Sequence, residues 1–221
     1  MKAMILAAGR GERMRPLTDT TPKPLLQAGP RRLIEYQLIN LATAGFTEVV
    51  INVAWLGKQI IDVLGDGEKY NLKISYSDEG DQALETGGGI YNALPLLGED
   101  PFLVVNADVW TDYPFEKLRA FELRDKAHLV LINNPEHHPQ GDFSIRDDRL
   151  INDESSRFTF SGIGIYSPEF FTPSSKGKYP LGPMIRNYID SDDISGEVYQ
   201  GMCIDIGTPL RLETLVKLLS A

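Results

Sequence analysis

Short apolar runs alternate with longer amphipathic segments over the first 133 residues of the chain. Apolar runs bounded by glycine or polar residues are typical of strands that are buried on both faces. Segments in which apolar residues recur every three to four positions are typical of amphipathic helices. The pattern predicts, in chain order, strand 2–8, helix 33–44, strand 48–53, helix 56–64, strand 72–77, helix 85–94, strand 102–106, helix 115–125 and strand 127–133.

This alternation predicts an α/β fold with a Rossmann-like, doubly wound, mostly parallel sheet, because parallel neighbours need a crossover connection. After residue 133 the pattern changes to shorter strands and turns, which predicts a small β-rich lobe. The chain has no internal repeat or linker-like run, so residues 1–221 are expected to form a single domain. The elements predicted in this second half are strands 142–146, 157–166 and 197–204 and helices 181–189 and 209–219.

The charge of the chain is negative and unevenly spread. It has 22 Lys and Arg against 31 Asp and Glu, a formal net charge of -9. An acidic surface is unsuited to general nucleic-acid binding, so DNA and RNA are not expected as partners. The first 36 residues nevertheless hold seven basic and three acidic side chains. A basic segment in an acidic chain favours an anionic small molecule as the ligand of that segment.

Cysteine content and hydropathy bear on where the chain is expected to act. Cys203 is the single cysteine, so no intrachain disulfide can form and a reducing compartment fits. No apolar run reaches the length of about 20 residues that a membrane-spanning helix needs, and the N-terminus lacks the pattern of a signal peptide. We expect a cytoplasmic protein with no membrane partner. In it Cys203 fills the core, and His137 and His138 lie in an exposed loop.

The loop after the first strand has the chemistry of a phosphate site. It leaves the carboxyl end of a buried strand, where ligands bind in open α/β sheets. Gly9 and Gly11 let backbone N–H groups approach phosphate oxygens, and Arg13 and Lys23 supply positive charge. Met14 stands where a dinucleotide fingerprint needs a third glycine, and the chain has no P-loop sequence. The alternative interpretation is a plain glycine-rich turn with solvated arginines.

Two carboxylates are candidates for a metal site. Asp108 follows the buried run 102–106 and Asp205 follows the apolar run 201–204, so both are expected at strand ends that face one cleft. Two carboxylates with substrate phosphates and water suit octahedral Mg²⁺, which rarely has a cage made entirely of protein ligands. The alternative is that both carboxylates cap turns or helices.

The glycine-rich segment 84–89 admits two interpretations. Its backbone groups could meet the edge of a nucleotide base, with Gln82 and Glu85 beside them. Alternatively, its glycines could allow close packing at the N-terminus of a helix. The spacing leaves both interpretations open.

These motifs together resemble the sugar-phosphate nucleotidyltransferase family. The resemblance rests on Gly9-x-Gly11-x-Arg13-x-x-Pro16-x-Thr18 with Lys23, and it continues through the segments 84–89, 106–108, 160–166 and 205–209. Members join a nucleoside triphosphate to a sugar 1-phosphate and release pyrophosphate, on the nucleotidyltransferase type A fold. The resemblance implies a nucleotide-binding part near residues 1–110 and a sugar-phosphate-binding part near residues 111–221.

The resemblance also implies roles for individual residues. Arg13 and Lys23 would be catalytic, and Asp108 and Asp205 would hold Mg²⁺. The residues implied in nucleotide binding are Leu6, Ala7, Ala8, Gly9, Gly11, Gln82, Thr86, Gly87 and Asn106. Those implied in acceptor binding are Gly141, Glu154 and Ser161.

The chain length and the segments 84–89 and 105–112 most resemble the family's uridylyltransferases that act on an amino-sugar 1-phosphate in cell-wall sugar recycling. This implies UTP as donor and a UDP-sugar and pyrophosphate as products. Many relatives hold the sugar phosphate with a Lys in a Glu-Lys-Pro segment, whereas this chain has no Lys between residues 127 and 175. Arg146, Arg149 and Arg157 are the alternatives, and spacing does not choose among them.

Other functions stay open at this point. One is a transferase that uses a different base or another phosphorylated acceptor, such as choline phosphate. Another is a non-catalytic protein that senses sugar nucleotides. No protein partner is implied, and a monomer or a simple homo-oligomer is expected.

Overall fold

The computed structural model describes residues 1–220, in which strands and helices alternate along the first half of the chain. The strands are β1 (Ala3–Leu6), β2 (Gln27–Ala28), β3 (Arg31–Arg32), β4 (Glu48–Val53), β5 (Lys73–Asp78), β6 (Phe102–Asn106), β7 (Val109–Thr111), β8 (Ala127–Ile132), β9 (Ser144–Arg146), β10 (Arg149–Ile151), β11 (Thr159–Tyr166), β12 (Ile194–Tyr199) and β13 (Cys203–Asp205). The helices are α1 (Leu33–Thr43), α2 (Gly57–Leu64), α3 (Glu85–Leu97), α4 (Phe115–Arg119), α5 (Leu181–Ile189) and α6 (Pro209–Leu219).

One mixed sheet contains most of these strands, in the order β5-β4-β1-β6-β11-β8-β12-β10-β9. β10 and β11 run opposite to the direction of the other strands in this sheet. The pairs β7–β13 and β2–β3 form two small separate sheets. The prediction of an α/β fold with a mostly parallel sheet is therefore confirmed.

The parallel half of the sheet places the ends of three strands side by side. β1 lies between β4 and β6, and Leu6 is in register with Asn52 of β4 and Asn106 of β6. The interior positions of these strands are almost fully buried, as their uninterrupted apolar runs predict. Because the strands end at the same level, the loops that follow them meet at one edge of the sheet.

Apolar packing on both faces of the sheet holds this edge in place. Successive residues of β1 divide between two clusters, since Ile5 packs with α1, α2 and α4 on one face and Met4 packs with α3 and α5 on the other. A third cluster under α6 includes Met14 of the loop after β1, which is fully buried. Within residues 1–220, none of these helices combines the length and the apolar character needed to cross a membrane.

The second half of the chain extends the same large sheet. β11 lies between β6 and β8 and pairs antiparallel with both, with a bulge between Phe160 and Ile163. β12 pairs parallel with β8, and the β9–β10 hairpin closes that end of the sheet. The predicted division into a nucleotide part and a sugar-phosphate part stays a prediction.

The structure departs furthest from the predicted boundaries at two places, and the others differ by up to three residues, as where α3 ends at Leu97 instead of residue 94. The helix expected over residues 115–125 ends at Arg119, and Phe121 instead packs on the His128 ring with the ring centroids 4.1 Å apart. The strand expected over 197–204 is two strands. The chain turns at Gly201, where the Tyr199 ring leaves no room for a side chain, and β13 leaves the large sheet to pair with β7. Tertiary packing overrides the local pattern at both places.

Candidate active site

The loop after β1 forms one wall of the candidate site. Asn52 holds its start, because the Asn52 Oδ1 accepts a hydrogen bond of 2.7 Å from the Ala7 N–H. Gly11 has a φ of 65°, in the left-handed region that favours glycine. A Cβ there would come within 3.0 Å of the Lys23 and Thr18 side chains. Gly11 is therefore required by the turn itself, whatever ligand approaches it.

A cavity of about 450 Å³ over this loop has the charge that a polyphosphate site needs. It is lined by Gly9, Arg10, Gly11, Glu12, Arg13, Met14, Lys23, Asp108 and Gly207. A Cβ at Gly9 would meet no atom of residues 1–220 within 4 Å apart from its own chain neighbours, so packing does not require this glycine. Its missing side chain leaves the loop backbone open to a ligand. The structure thus brings together the glycines, the arginine and the lysine that the sequence placed at a phosphate site.

Lys23 and Asp108 form an ion pair in this cavity, with the Lys23 Nζ donating to the Asp108 Oδ2. Lys23 begins a short 3-10 turn that follows Pro22 and has Pro24 at its second position. The Lys23 side chain is 10% exposed and that of Asp108 is 29% exposed. A nearly buried ammonium group needs a charged or polar partner. Asp108 supplies it, so each group orients the other.

The small β7–β13 sheet brings the two metal candidates to one cleft. Asp205 is the register partner of Val109, the residue after Asp108. The Ile206 N–H donates a hydrogen bond of 2.8 Å to the Asp108 carbonyl. This bond also holds the segment of Asp205 beside that of Asp108. Both carboxylates line a cleft of about 700 Å³. They therefore face a common space, as the sequence led us to expect.

Arg211 and His137 surround Asp205. The Arg211 Nη1 donates to the Asp205 Oδ2 at 2.6 Å and to the His137 Nε2 at 2.8 Å. Burial, followed by the Arg211 charge, lowers the pKa of His137. His137 is thus a neutral acceptor near pH 7, and the positive charge beside Asp205 belongs to Arg211. The sequence placed His137 in an exposed loop, which is correct, but neither its contact with Arg211 nor the position of Arg211 was predicted.

The donor chemistry of Asp108 and Asp205 fits a hard divalent cation. Both offer carboxylate oxygens, the ligands that Mg²⁺ prefers, and both side chains are partly open to the cleft. Across residues 1–220, no group of three or more His, Cys, Asp or Glu side chains is placed to hold a metal. An ion held here would therefore take its remaining ligands from substrate phosphates and water, as Mg²⁺ commonly does.

A smaller cavity of about 210 Å³ lies between the loop after β1 and the start of α3. It shares Gly9 and Asp108 with the phosphate cavity, so one elongated ligand can extend across both. The residues implied in nucleotide binding that line it are Leu6, Ala8, Gly9, Thr86 and Asn106. Gln82 lies in the exposed loop just before α3 and is not part of this lining in the described structure.

Asn52 and Glu79 form a polar link across this smaller cavity that the sequence reasoning missed. The Asn52 Nδ2 donates to the Glu79 Oε1 at 2.6 Å, and the Leu84 N–H donates to the Glu79 Oε2 at 2.6 Å. Burial raises the pKa of Glu79, and these two hydrogen bonds act in the opposite direction. The link ties β4 to the loop after β1 and to the start of α3. The signal that could have revealed it is the position of Asn52, a polar residue at the carboxyl end of the predicted strand 48–53.

The glycines at the start of α3 pack against a later loop. The Gly88 N–H donates to the Tyr179 carbonyl at 3.1 Å. A Cβ at Gly87 would come within 2.7 Å of the Tyr179 ring, and Gly87 is buried. The Leu181 N–H donates to the Thr86 Oγ1 at 2.9 Å. Close packing therefore accounts for these glycines, and Thr86 is the residue of this turn that borders the base-sized cavity.

Of the residues implied in acceptor binding, Ser161 lies in the large cleft and the other two lie outside its lining. The Ser161 hydroxyl donates at 2.6 Å to a backbone carbonyl of β8. The Glu154 side chain is 90% exposed and pairs with Arg157 at 3.0 Å. Gly141 has a φ of 62°, so its turn accounts for the glycine. The roles of Gly141 and Glu154 in acceptor binding stay predictions.

Cys203 also lines the large cleft, but its chemistry is not that of a nucleophile. Burial raises the pKa of the Cys203 thiol to about 12. The thiolate is the reactive form of cysteine. Cys203 is therefore a neutral wall residue near pH 7. The prediction that it fills the core is wrong, because β13 leaves the large sheet and places Cys203 half-buried at the cleft.

The class of protein follows from this geometry together with its relatives. The family model for nucleotidyl transferases matches residues 2–144. The chain is 52% identical over 223 residues to the N-acetylmuramate alpha-1-phosphate uridylyltransferase of Neisseria meningitidis serogroup B, covering 96% of each chain. It is 43% identical over 218 residues to a mannose-1-phosphate guanyltransferase of Aspergillus fumigatus, covering 93% of this chain and 56% of that relative. The chain belongs to the nucleotidyl transferase family.

A solved structure has the same fold. It is described as a glucose-1-phosphate thymidylyltransferase from Bacillus anthracis in complex with a sucrose. The two structures match with a TM-score of 0.88 over 99% of this chain and 94% of the other. Their sequences are 21% identical, so this likeness concerns the fold alone.

Proposed function

We propose that the chain transfers the uridylyl group of UTP to N-acetylmuramate 1-phosphate and releases pyrophosphate. One geometric observation carries the reaction class: Arg13, Lys23, Asp108 and Asp205 converge around two adjoining cavities at the edge of the sheet. The choice of donor and acceptor is supported by the 52% identity to the Neisseria uridylyltransferase over 96% of each chain. We further propose that the reaction serves cell-wall sugar recycling in the cytoplasm, where UTP is available.

The chemistry requires little from the protein beyond positioning and charge. The phosphate of the acceptor is already an anion, so its oxygen can attack the α-phosphorus of UTP without a general base. The bond from that oxygen to the α-phosphorus forms as the bond to the bridging oxygen of pyrophosphate breaks. Holding the reactants in line and stabilising the charge that moves to pyrophosphate are the expected contributions.

Arg13 and Lys23 bind the triphosphate in this proposal. They share a cavity with Gly9 and Gly11, whose backbone can donate to phosphate oxygens. As pyrophosphate leaves, its negative charge grows, and preorganised cations stabilise that charge more in a partly enclosed cavity than in water. Lys23 is the better placed of the two to be preorganised, because its ammonium group is nearly buried and held by Asp108.

Asp108 and Asp205 hold Mg²⁺ in this proposal. When bound, the ion neutralises negative charge on the substrate phosphates. In the structure Lys23 neutralises Asp108 and Arg211 neutralises Asp205. These ion pairs orient both carboxylates toward the cleft, and Lys23 can pass from Asp108 to a phosphate oxygen when the triphosphate binds.

The cavities suggest how the substrates are arranged. Asn106 borders both the smaller cavity and the large cleft. We assign the base and ribose to the smaller cavity beside Thr86, the triphosphate to the loop after β1, and the acceptor to the large cleft. Asn106 and Asp108 then lie where donor and acceptor meet.

Guanylyl transfer is the second candidate, favoured by the 43% identity to the Aspergillus guanyltransferase. The chain spans 56% of that relative, against 96% of the uridylyltransferase. This difference favours UTP. A sugar-nucleotide sensor without activity is less well supported, because all four charged residues of the reaction are present and converge.

The test crosses nucleoside triphosphates with sugar 1-phosphates in a pyrophosphate-release assay. UTP, GTP, CTP, ATP and dTTP are each paired with the 1-phosphates of N-acetylmuramate, N-acetylglucosamine, glucose and mannose. We expect the highest kcat/KM for UTP with N-acetylmuramate 1-phosphate. Preference for GTP with mannose 1-phosphate would favour the second candidate. Binding of UTP with no pyrophosphate release for any pair would contradict the proposal of an enzyme.

A further inference from the structure

The large cleft contains a cation that the triphosphate site does not use. The basic side chains in its lining are Arg13, His137, His138 and Arg211. Arg13 also lines the phosphate cavity, and His138 lies 3.1 Å from Asp142. Because His137 accepts a hydrogen bond from Arg211, the permanent charge in this part of the cleft is that of Arg211.

The three arginines that the sequence offered as acceptor ligands are engaged elsewhere. Each forms an ion pair within the second half of the chain, and none of the three is in the cleft lining of the described residues. The pairs are Arg146 with Asp153 at 3.6 Å, Arg149 with Asp125 at 2.6 Å and Asp192 at 3.0 Å, and Arg157 with Glu154 at 3.0 Å. The acceptor therefore needs a cation from another element.

Contacts with neighbouring side chains hold the Arg211 guanidinium in place. It lies in the first turn of α6, where its Nε is 3.5 Å from the Thr208 Oγ1. Its Nη1 contacts Asp205 and His137. Over residues 1–220 these hydrogen bonds use the Nη1 and the Nε, which leaves the Nη2 for a ligand. A guanidinium held in one plane is well suited to an oxyanion, because its N–H groups match the spacing of carboxylate or phosphate oxygens.

We propose that Arg211 binds an oxyanion of the acceptor, with His137 positioning the guanidinium. This inference rests on the proposed function. N-acetylmuramate 1-phosphate carries two such groups, its phosphate and the carboxylate of its lactyl ether. Both are oxyanions whose oxygens can accept hydrogen bonds from the Arg211 guanidinium. Its contact with Asp205 puts it beside the carboxylate pair around which the phosphates would gather.

The test measures how Arg211→Gln changes the steady-state constants of the UTP reaction. We expect the KM for N-acetylmuramate 1-phosphate to rise by about 10- to 100-fold, as for the loss of one hydrogen bond between charged groups. The KM for UTP should change far less, and Arg211→Lys should recover part of the loss. N-acetylglucosamine 1-phosphate, which has the phosphate and lacks the carboxylate, then serves as a competing ligand. A parallel rise in its inhibition constant assigns the phosphate, and an unchanged constant assigns the carboxylate.

Arg32→Gln is the matched control, since Arg32 pairs with Glu35 at 3.8 Å at the start of α1 and, among the described residues, lines none of the three cavities of the site, so its KM values should be those of the wild type. A KM for the acceptor that is unchanged in Arg211→Gln would overturn the inference. So would a higher Mg²⁺ requirement with no change in that KM, because Arg211 would then only orient Asp205. Failure of the proposed function would be visible separately, as a wild-type protein that transfers nothing to this acceptor.

Discussion

The Lys23 Nζ donates to the Asp108 Oδ2 across 85 positions of the sequence. One partner is the cation proposed to bind the triphosphate, and the other is a carboxylate proposed to bind Mg²⁺. Their contact couples the loop after β1 to the end of β6. The ion pair therefore holds the cation and the carboxylate next to each other before substrates bind.

Removing the Lys23 charge should nearly abolish turnover while leaving the fold intact. In Lys23→Ala we expect kcat/KM to fall by about 10²- to 10³-fold, the usual effect of losing one preorganised electrostatic contact. The partner carboxylate is partly exposed, so water can solvate it and the thermal midpoint should change little. Lys58→Ala is the control, because Lys58 is exposed and paired with Asp62 at 2.7 Å on α2. Near wild-type turnover in Lys23→Ala would remove Lys23 from the reaction.

The two metal candidates should behave as one unit. Asp108→Asn and Asp205→Asn should each raise the Mg²⁺ concentration needed for half-maximal activity and lower kcat. The double variant should lose less than the product of the two single effects, because residues that act together are not additive. Asp112→Asn is the control, since Asp112 follows β7 and accepts a hydrogen bond of 2.7 Å from the Tyr199 hydroxyl. Unchanged Mg²⁺ dependence in both single variants would contradict the metal assignment.

The sequence predicts the parts of this site that depend on strand ends and glycine-rich loops. The apolar run before Gly9 and the one before Asp108 each identify a buried strand, and parallel strands bring their carboxyl ends to one edge. Gly9, Gly11 and Lys23 could be assigned to that edge because glycines and a basic residue in a loop after a buried strand are typical of a phosphate site.

Contacts made by pairing remote segments could not be predicted in the same way. Asp205 reaches Asp108 through β7, a strand of three residues that is too short to show a period. Arg211 follows Asp205 closely in sequence, yet only the structure shows that it lines the large cleft. The three arginines favoured by position instead satisfy carboxylates that come from loops and turns, which sequence spacing does not reveal.

Two glycines of the site should separate ligand binding from folding. Gly9→Ala adds a methyl group in open space, so we expect an unchanged thermal midpoint and weaker UTP binding by calorimetry. Gly88→Ala would press a methyl group into the Gly177 carbonyl, and overpacking of this kind costs about 1–3 kcal/mol of unfolding free energy. A stable Gly88→Ala protein, or a Gly9→Ala protein with wild-type UTP affinity, would contradict these assignments.

Glu79 should leave a signature in the pH dependence of stability. Burial raises its pKa above the ordinary value of 4.5 that applies in the unfolded chain. Between the two pKa values the folded protein binds more protons than the unfolded chain, so this residue makes the unfolding free energy fall as pH rises. We expect the difference in unfolding free energy, wild type minus Glu79→Gln, to decrease as pH rises above 4.5 and then to level off. Urea unfolding at a series of pH values measures it, and a difference that is flat or increases with pH would contradict the raised pKa.

The Asn52–Glu79 link should also matter for the nucleotide. Asn52→Leu removes the acceptor of the Ala7 N–H and the donor to Glu79 at once. We expect a higher KM for UTP with an unchanged KM for the acceptor, because the loop after β1 loses its support while the large cleft does not. A variant whose two KM values rise together would indicate general loosening of the fold.

In the proposed reaction the acceptor phosphate attacks the α-phosphorus of UTP within the site formed by Lys23, Arg13, Asp108 and Asp205. The most direct measurement follows UTP labelled at the α-phosphorus, with N-acetylmuramate 1-phosphate and Mg²⁺, by separation of the products. We expect the label to appear in the UDP-sugar while unlabelled pyrophosphate is released in equal amount. Label recovered in UDP with release of inorganic phosphate, or UTP that binds and stays intact, would contradict it.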